Sequence, residues 1–218
     1  MKQVLSIITI PFLLFIQSCN DGSCVEGTGS PSEYEISVND FSKISLIGIM
    51  DLKITQGNEQ KVIIVAETEI FDELIYGVNN QHLKFDFDSD CINTDFGVEV
   101  RITVPDIRYI SIEGNGGVTS SNDLSLDRLE IEVFGIGEVK LTGSANQIEY
   151  DVEGSLEVEN FDFITASTYI DIEGSGDLEV SCTEILNIEV EGSANVAYKG
   201  EPQISQNVNG SLNLTNAN

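Results

Sequence analysis

The sequence predicts an all-β chain whose second half is a parallel β-helix with glycine-rich turns, preceded by an irregular β part. Three observations carry that expectation. Apolar and polar residues alternate with period two through most of the chain, and no stretch holds a helical period of adequate length. From Ile110 onward one unit recurs: an apolar-x-apolar pair, an acidic or polar residue, glycine, a small residue, then another alternating strand. The key glycines Gly114, Gly135, Gly154, Gly174, Gly192 and Gly210 are 21, 19, 20, 18 and 18 residues apart. An antiparallel sandwich would also alternate and turn at glycines, but its successive units would not resemble one another.

The chain opens with Lys2 and a nearly unbroken apolar run from Val4 to Ile16. The run is short of the roughly 20 residues that a membrane span needs. It ends in Ile16-Gln17-Ser18-Cys19, which resembles a bacterial lipoprotein signal, so residues 1–18 are expected to be the signal peptide and Cys19 the lipidated residue. A plain secretory signal with an incidental cysteine, or an uncleaved anchor, would also fit. Residues 19–33 are rich in Gly, Ser and Thr, the composition of a flexible tether. Cys24, Cys91 and Cys182 then remain, which allows one disulfide and one free thiol. Cys182 continues the alternation of Leu178 and Val180 and reads as a small buried hydrophobe. Cys24 could pair with Cys91.

Residues 34–218 are expected to form a single domain, with an N-terminal β part over 34–109 and the repeated coils over 110–218. In the first part, Glu73 to Phe87 reads as a hairpin with its turn at Gly77-Val78-Asn79-Asn80, and Glu69 to Leu74 as a short helix. Val98 to Val104 alternates as a strand. Ile47-Gly48-Ile49-Met50-Asp51-Leu52 looks like a distant seventh copy of the repeat. In the second part, the units Ile131-Glu-Val-Phe-Gly135, Ile170-Asp-Ile-Glu-Gly174 and Ile188-Glu-Val-Glu-Gly192 are typical. Coils of this kind stack about 4.8 Å apart with their inward residues in register, so five steps extend about 24 Å. The last coil, Ile204 to Leu214, has no obvious covering helix.

These residues resemble a known family, the auto-transporter adhesin head GIN domain of Bacteroidetes-type bacteria. The likeness runs from about Tyr34 to the C-terminus. It includes Phe41-Ser-Lys-Ile-Ser-Leu-Ile-Gly48, Arg101-Ile-Thr-Val-Pro105, Ile110-Ser-Ile-Glu-Gly-Asn-Gly116, Gly174-Ser175-Gly176 and Ala197-Tyr-Lys-Gly200-Glu-Pro202. Gly154-Ser155-Leu156 and Gly210-Ser211-Leu212 lack the second turn glycine. The resemblance implies a right-handed β-helix on an exported or lipid-anchored envelope protein, and it brings no catalytic residues.

Charge narrows the function. The chain carries 10 Lys+Arg against 37 Asp+Glu, a net charge of −27. That balance excludes a nucleic-acid footprint and a peripheral hold on anionic lipid. Residues 109–218 hold 20 acidic side chains and 3 basic ones, Arg128, Lys140 and Lys199. Glu113, Glu153, Glu173 and Glu191 each precede a key glycine, so stacking would align them in an acidic ladder interrupted by Phe134 and Asn209. Such a ladder could draw Ca²⁺, a hard cation that takes carboxylate oxygens, or could simply be a solvated charged face.

Catalytic signatures fail. His82 is the one histidine and lies on the polar side of a strand. The cysteines are too dispersed for a zinc site. Gly135-Ile136-Gly137 is followed by Lys140 where a dinucleotide fingerprint needs glycine. The expectation is therefore a non-catalytic, lipid-anchored protein of the cell envelope, on the outer membrane, that presents acidic faces to a glycan, matrix component or protein. The alternatives are a periplasm-facing scaffold and, third, a polysaccharide-active enzyme.

Overall fold

A computed structural model describes residues 24–218; the expected signal peptide, residues 1–18, and Cys19 lie outside the described residues. The described residues are all-β apart from one short helix. In order it forms β1 (Val25–Glu26), β2 (Ser32–Ile36), β3 (Lys43–Gln56), β4 (Lys61–Ala66), α1 (Thr68–Asp72), β5 (Leu74–Asn79), β6 (His82–Phe87) and β7 (Ile92–Asn93). There follow β8 (Val98–Val104), β9 (Tyr109–Ser120), β10 (Leu124–Lys140), β11 (Gly143–Lys199) and β12 (Gln203–Asn216).

One large open sheet runs in the order β12-β11-β10-β9-β3-β8-β4-β2, and β6 joins it beside β3. The sheet is mixed. Pairing is parallel from β8 through β3, β9, β10 and β11 to β12, and antiparallel where β4 meets β8 and β2. β2 and β4 lie outside this parallel stack, pairing antiparallel in the spatial order β8-β4-β2 within the part expected to be irregular.

The repeat is visible in the register. Gly48 pairs with Gly114, Gly114 with Gly135, Gly135 with Gly154, and Gly192 with Gly210. The distant copy at Gly48 thus joins the stack directly, although 66 residues separate it from Gly114 in sequence. β11 is 57 residues long and would reach about 190 Å if straight. It folds back on itself instead: Gly174 lies against the Gly154 carbonyl, and Gly192 against the Gly174 carbonyl. Gly174 has φ +137°, and a Cβ there would sit 2.1 Å from the Gly154 oxygen. Only glycine combines that backbone angle with so close an approach.

The core follows from alternation. Ile44, Ile110, Ile131 and Tyr150 are stacked in register and buried, as are Leu46, Ile112, Val133 and Val152. A second row, Val118, Val139 and Val158, lies beyond the glycine column. Burying a Val, Leu or Ile side chain is worth about 1.5–3 kcal/mol, so the stacked rows supply the main stabilising term. Asn160 is the principal polar intruder. Its Nδ2 donates to the Tyr150 hydroxyl at 2.7 Å and its Oδ1 accepts from the Leu141 N–H at 2.7 Å, so it ties two coils together inside the core. Cys182 is buried, as its alternation indicated.

Two local readings are refined. The β5–β6 hairpin forms, but its turn is Asn80-Gln81, both with positive φ, while Gly77 pairs with Lys84 inside the strand. Residues 24–33 carry more structure than a tether composition indicates. Cys24 is joined to Cys91, and β1 pairs in parallel with β7.

Candidate interaction surface

Stacking in register brings every outward-facing position next to its equivalent on the neighbouring coil. The acidic composition therefore becomes acidic rows. Glu130 pairs with Glu149, Glu132 with Asp151, and Glu138 with Glu157. Like charges at this spacing repel. Partial burial raises the Asp151 pKa above its ordinary value, and the neighbouring Asp171, Glu132, Glu153 and Glu149 raise it further. Glu130 is also raised, first by burial and then by Glu149, with Arg128 opposing.

The few bases sit where crowding is worst. Arg128 reaches Glu149 at 2.6 Å and Glu130 at 3.5 Å, and Lys140 reaches Glu159 on the next coil at 2.5 Å. Asn195 Nδ2 donates to Asp177 at 2.6 Å, and Asn213 Nδ2 to Asn195 at 3.4 Å. Beside this amide ladder an open groove of about 320 Å³ is lined by carboxylates and amides, Glu157, Glu159, Asp177 and Asn195 among them, together with the apolar Val158, Leu178 and Val196. Its chemistry suits a ligand rich in hydroxyl or cationic groups, because carboxylates and amides present acceptors in a row.

The column that carries the expected ladder is interrupted at Phe134 and Asn209, the two positions that the sequence marks. Register places Glu113 beside Phe134 and Phe134 beside Glu153, so an exposed ring separates the first two carboxylates. The Gly154–Gly174–Gly192 contacts carry Glu153, Glu173 and Glu191 along the same column, and Asn209 ends it. Among the described residues, no group of three or more His, Cys, Asp or Glu side chains is arranged to hold a metal ion. Around the column, Ile49, Phe134 and Ile136 are exposed, which leaves an apolar margin on the turn ridge nearest the N-terminal part.

Sequence reasoning missed a second cluster. The Ser45 hydroxyl and His82 Nε2 are 2.8 Å apart, and Tyr109 donates to Glu132 at 2.5 Å. The His82 and Tyr109 rings meet edge to face with centroids 5.5 Å apart. Four strands, β3, β6, β9 and β10, contribute one residue each. Burial lowers the His82 pKa, Lys84 and Lys43 lower it further, and Glu113 and Glu132 oppose them. Burial, then Glu132, raises Tyr109 well above the ordinary phenol value. Ser45 is shielded under the rings, at 2 % exposure, so this pair is a packed surface network rather than an open nucleophile. No alternation pattern signals it, since its members lie on four strands, with β3 between β6 and β9, and β10 beyond β9.

The family described as "Putative auto-transporter adhesin, head GIN domain" matches residues 40–202, the span that holds the whole glycine column but its last member. The chain belongs to this family. Solved structures show the same fold. A putative adhesin from Bacteroides fragilis is 22% identical, with a TM-score of 0.70, covering 87% of this chain and 99% of that one. A putative lipid binding protein from Parabacteroides distasonis is 21% identical, with a TM-score of 0.58, covering 89% and 100%. A putative adhesin from Parabacteroides merdae is 16% identical, with a TM-score of 0.50, covering 88% and 99%. No curated protein is similar enough in sequence to match. The head GIN domain and the adhesins among these neighbours are named as adhesins rather than enzymes, which points to the cell envelope or surface. Among the described residues, no helix is long and apolar enough to cross a membrane.

Proposed function

We propose that this head GIN domain is a non-catalytic binding module of the cell envelope, held on the outer membrane through a lipid on Cys19. Its stacked coils form a right-handed parallel β-helix that presents acidic outer rows to a glycan, a matrix component or a protein. The observation that carries this reading is the pairing of a largely apolar, registered interior with outer rows where carboxylates outnumber bases. Such a body is rigid, and its recognition chemistry is confined to one exterior. The groove at Glu157, Asp177 and Asn195 is the proposed contact region. Family membership supports the adhesive role.

Protease shaving of intact cells that express the full-length chain, with a Cys19→Ala control, tests the reading. Loss of the protein from intact cells, and its release from the membrane by Cys19→Ala, is the expected result. Survival until the outer membrane is opened would replace the adhesin with a periplasm-facing scaffold. For binding, Asp177→Asn with Glu157→Gln should weaken capture of a cationic or polyhydroxylated partner at least tenfold. Unchanged capture would move the contact elsewhere.

A further inference from the structure

The two ends of the large sheet are built differently. At one end, β2 is five residues long, follows Pro31, and carries Glu33 and Glu35. Short length, proline and charge are the devices that keep an edge strand from pairing. At the other end, β12 also follows a proline, Pro202, but it has 14 residues and no charged side chain. From Pro202 to Asn218 no side chain is charged, whereas β11 alone holds thirteen acidic residues and one basic one. The core-facing row of β12 is also uncovered: Ile204 and Val208 are exposed, and Leu212 and Leu214 are half-buried.

We propose that β12 is a self-association edge, on which a second copy of this chain docks antiparallel across a two-fold axis through Gly210. The proposal does not depend on what the acidic rows bind. Three features select a second copy. The edge is neutral, so it meets its own image without the repulsion that any other coil face would suffer. Gly210, at φ +151°, divides the strand into limbs of seven and six residues, Gln203–Asn209 and Ser211–Asn216, so an axis through it keeps the two backbone breaks opposite each other.

The third feature is the matching of faces. Register against β11 puts Ile204, Gln206, Val208, Leu212, Leu214 and Asn216 on the core side, opposite Leu186, Ile188, Val190, Ala194, Val196 and Tyr198. An axis through Gly210 sets Val208 against Leu212, Gln206 against Leu214, and Ile204 against Asn216. Core side therefore meets core side. On the outer side it sets Asn209 against Ser211, Asn207 against Asn213, and Ser205 against Thr215. Every outer pair is neutral and able to hydrogen-bond. The contact is small. Fourteen residues, each presenting roughly 3.3 Å of strand by 10 Å of width, cover about 460 Å² per partner, against about 800 Å² in a stable complex. The dimer is accordingly reversible.

The register makes a specific test. Co-expression of full-length Asn207→Cys and Asn213→Cys chains, each with its own tag, puts the new thiols directly opposite, at the 4.5–5.5 Å Cα separation that a disulfide tolerates. In either single variant the like thiols lie about six residues apart along the strands, roughly 20 Å, and cannot join. Mild oxidation of cells should therefore yield a mixed-tag dimer at the summed mass of the two processed, tagged chains from the pair and none from either variant alone. Val208→Lys in both copies should reduce the mixed dimer at least tenfold, with the native thiol of Cys182 still unreactive to show that the fold persists. Three results overturn the proposal: no mixed dimer, equal cross-linking by a single variant, or a cross-linked band of another mass from a different protein on this edge.

Discussion

Replacing Gly174 by alanine should remove a large part of the domain's stability. The residue has φ +137°, and an added Cβ would lie 2.1 Å from the Gly154 oxygen, with the carbonyl carbon 3.0 Å away. An alanine held at such an angle costs on the order of 1–3 kcal/mol. A carbon–oxygen contact needs about 3.3 Å, so the coils must part by roughly 1 Å. That stretch takes a ladder hydrogen bond from about 2.9 Å to beyond its useful range. Two or three such bonds at about 0.5–1.5 kcal/mol each bring the total to roughly 3–6 kcal/mol. For a domain of this size the melting temperature should fall by about 10–20 °C. Gly77→Ala is the control. A Cβ there meets nothing within 4 Å and φ is not positive, so the variant should gain about 0.4–1 kcal/mol through the unfolded chain. Urea unfolding followed by far-ultraviolet circular dichroism measures both. A Gly174→Ala variant within 1 kcal/mol of wild type would refute the close-approach argument.

Other sites give sharper contrasts. Asn160→Ala leaves the Leu141 N–H and the Tyr150 hydroxyl buried without their partner and should cost about 2–5 kcal/mol, while Asn195→Ala on the exposed ladder should stay within about 0.5 kcal/mol; both are read by urea unfolding. The Cys24–Cys91 bond spans 67 residues, so loop entropy gives it up to about 4 kcal/mol, and Cys91→Ser should melt lower by an amount that reductant reproduces in the wild type. His82 titrates below its ordinary value in the folded chain, so the unfolded chain binds the proton first and stability falls as pH drops through about 6.5. His82→Gln should flatten stability measured between pH 7 and 5. Asp151 and Glu130 work in the opposite sense. Their raised pKa values mean that protonation favours the folded chain, so Asp151→Asn should raise stability at pH 7 and lose that advantage as the medium becomes acidic.

The parallel half was legible because repetition fixes register by itself. Once Gly114 and Gly135 are equivalent, every outward and inward position between them follows, and the structure pairs them accordingly. Asn160 was legible in principle, since it continues the inward parity of Leu156 and Val158, but a polar residue there reads as surface unless its partners are known. The N-terminal half offered less. β2, β4 and β8 alternate like any strands, and nothing local records that β4 pairs antiparallel with β8 while β3 pairs with it in parallel. The hairpin turn was misplaced because glycine is the stronger turn signal. Here Asn80 and Gln81 adopt the positive φ, and Gly77 lies in the strand. The Ser45–His82–Tyr109–Glu132 cluster could not be assembled without knowing that β3 borders both β6 and β9.

The acidic surface and the neutral edge are two consequences of one stacking rule. Identical positions on successive coils lie about 4.8 Å apart, so a residue type used once is felt again on every neighbour. Of the three bases in the second half, Arg128 and Lys140 bridge carboxylates on adjacent coils, and Lys199 lies 4.1 Å over the Phe161 ring. The remaining carboxylates are left to repel, so lateral approach of two copies through their faces is disfavoured. Association through the β2 end is opposed by the short length of that strand and by its Glu33 and Glu35. The charge that keeps the faces apart thereby directs any self-contact to β12, the one long edge where carboxylates are absent. Added salt should then have opposite significance at the two places: it screens the faces and permits non-specific contact, while the β12 contact, being neutral, changes little. A mixed-tag cross-link whose yield is flat from about 0.05 to 0.5 M salt would distinguish edge pairing from the collapse of screened acidic faces, whose cross-linking rises steeply over the same range.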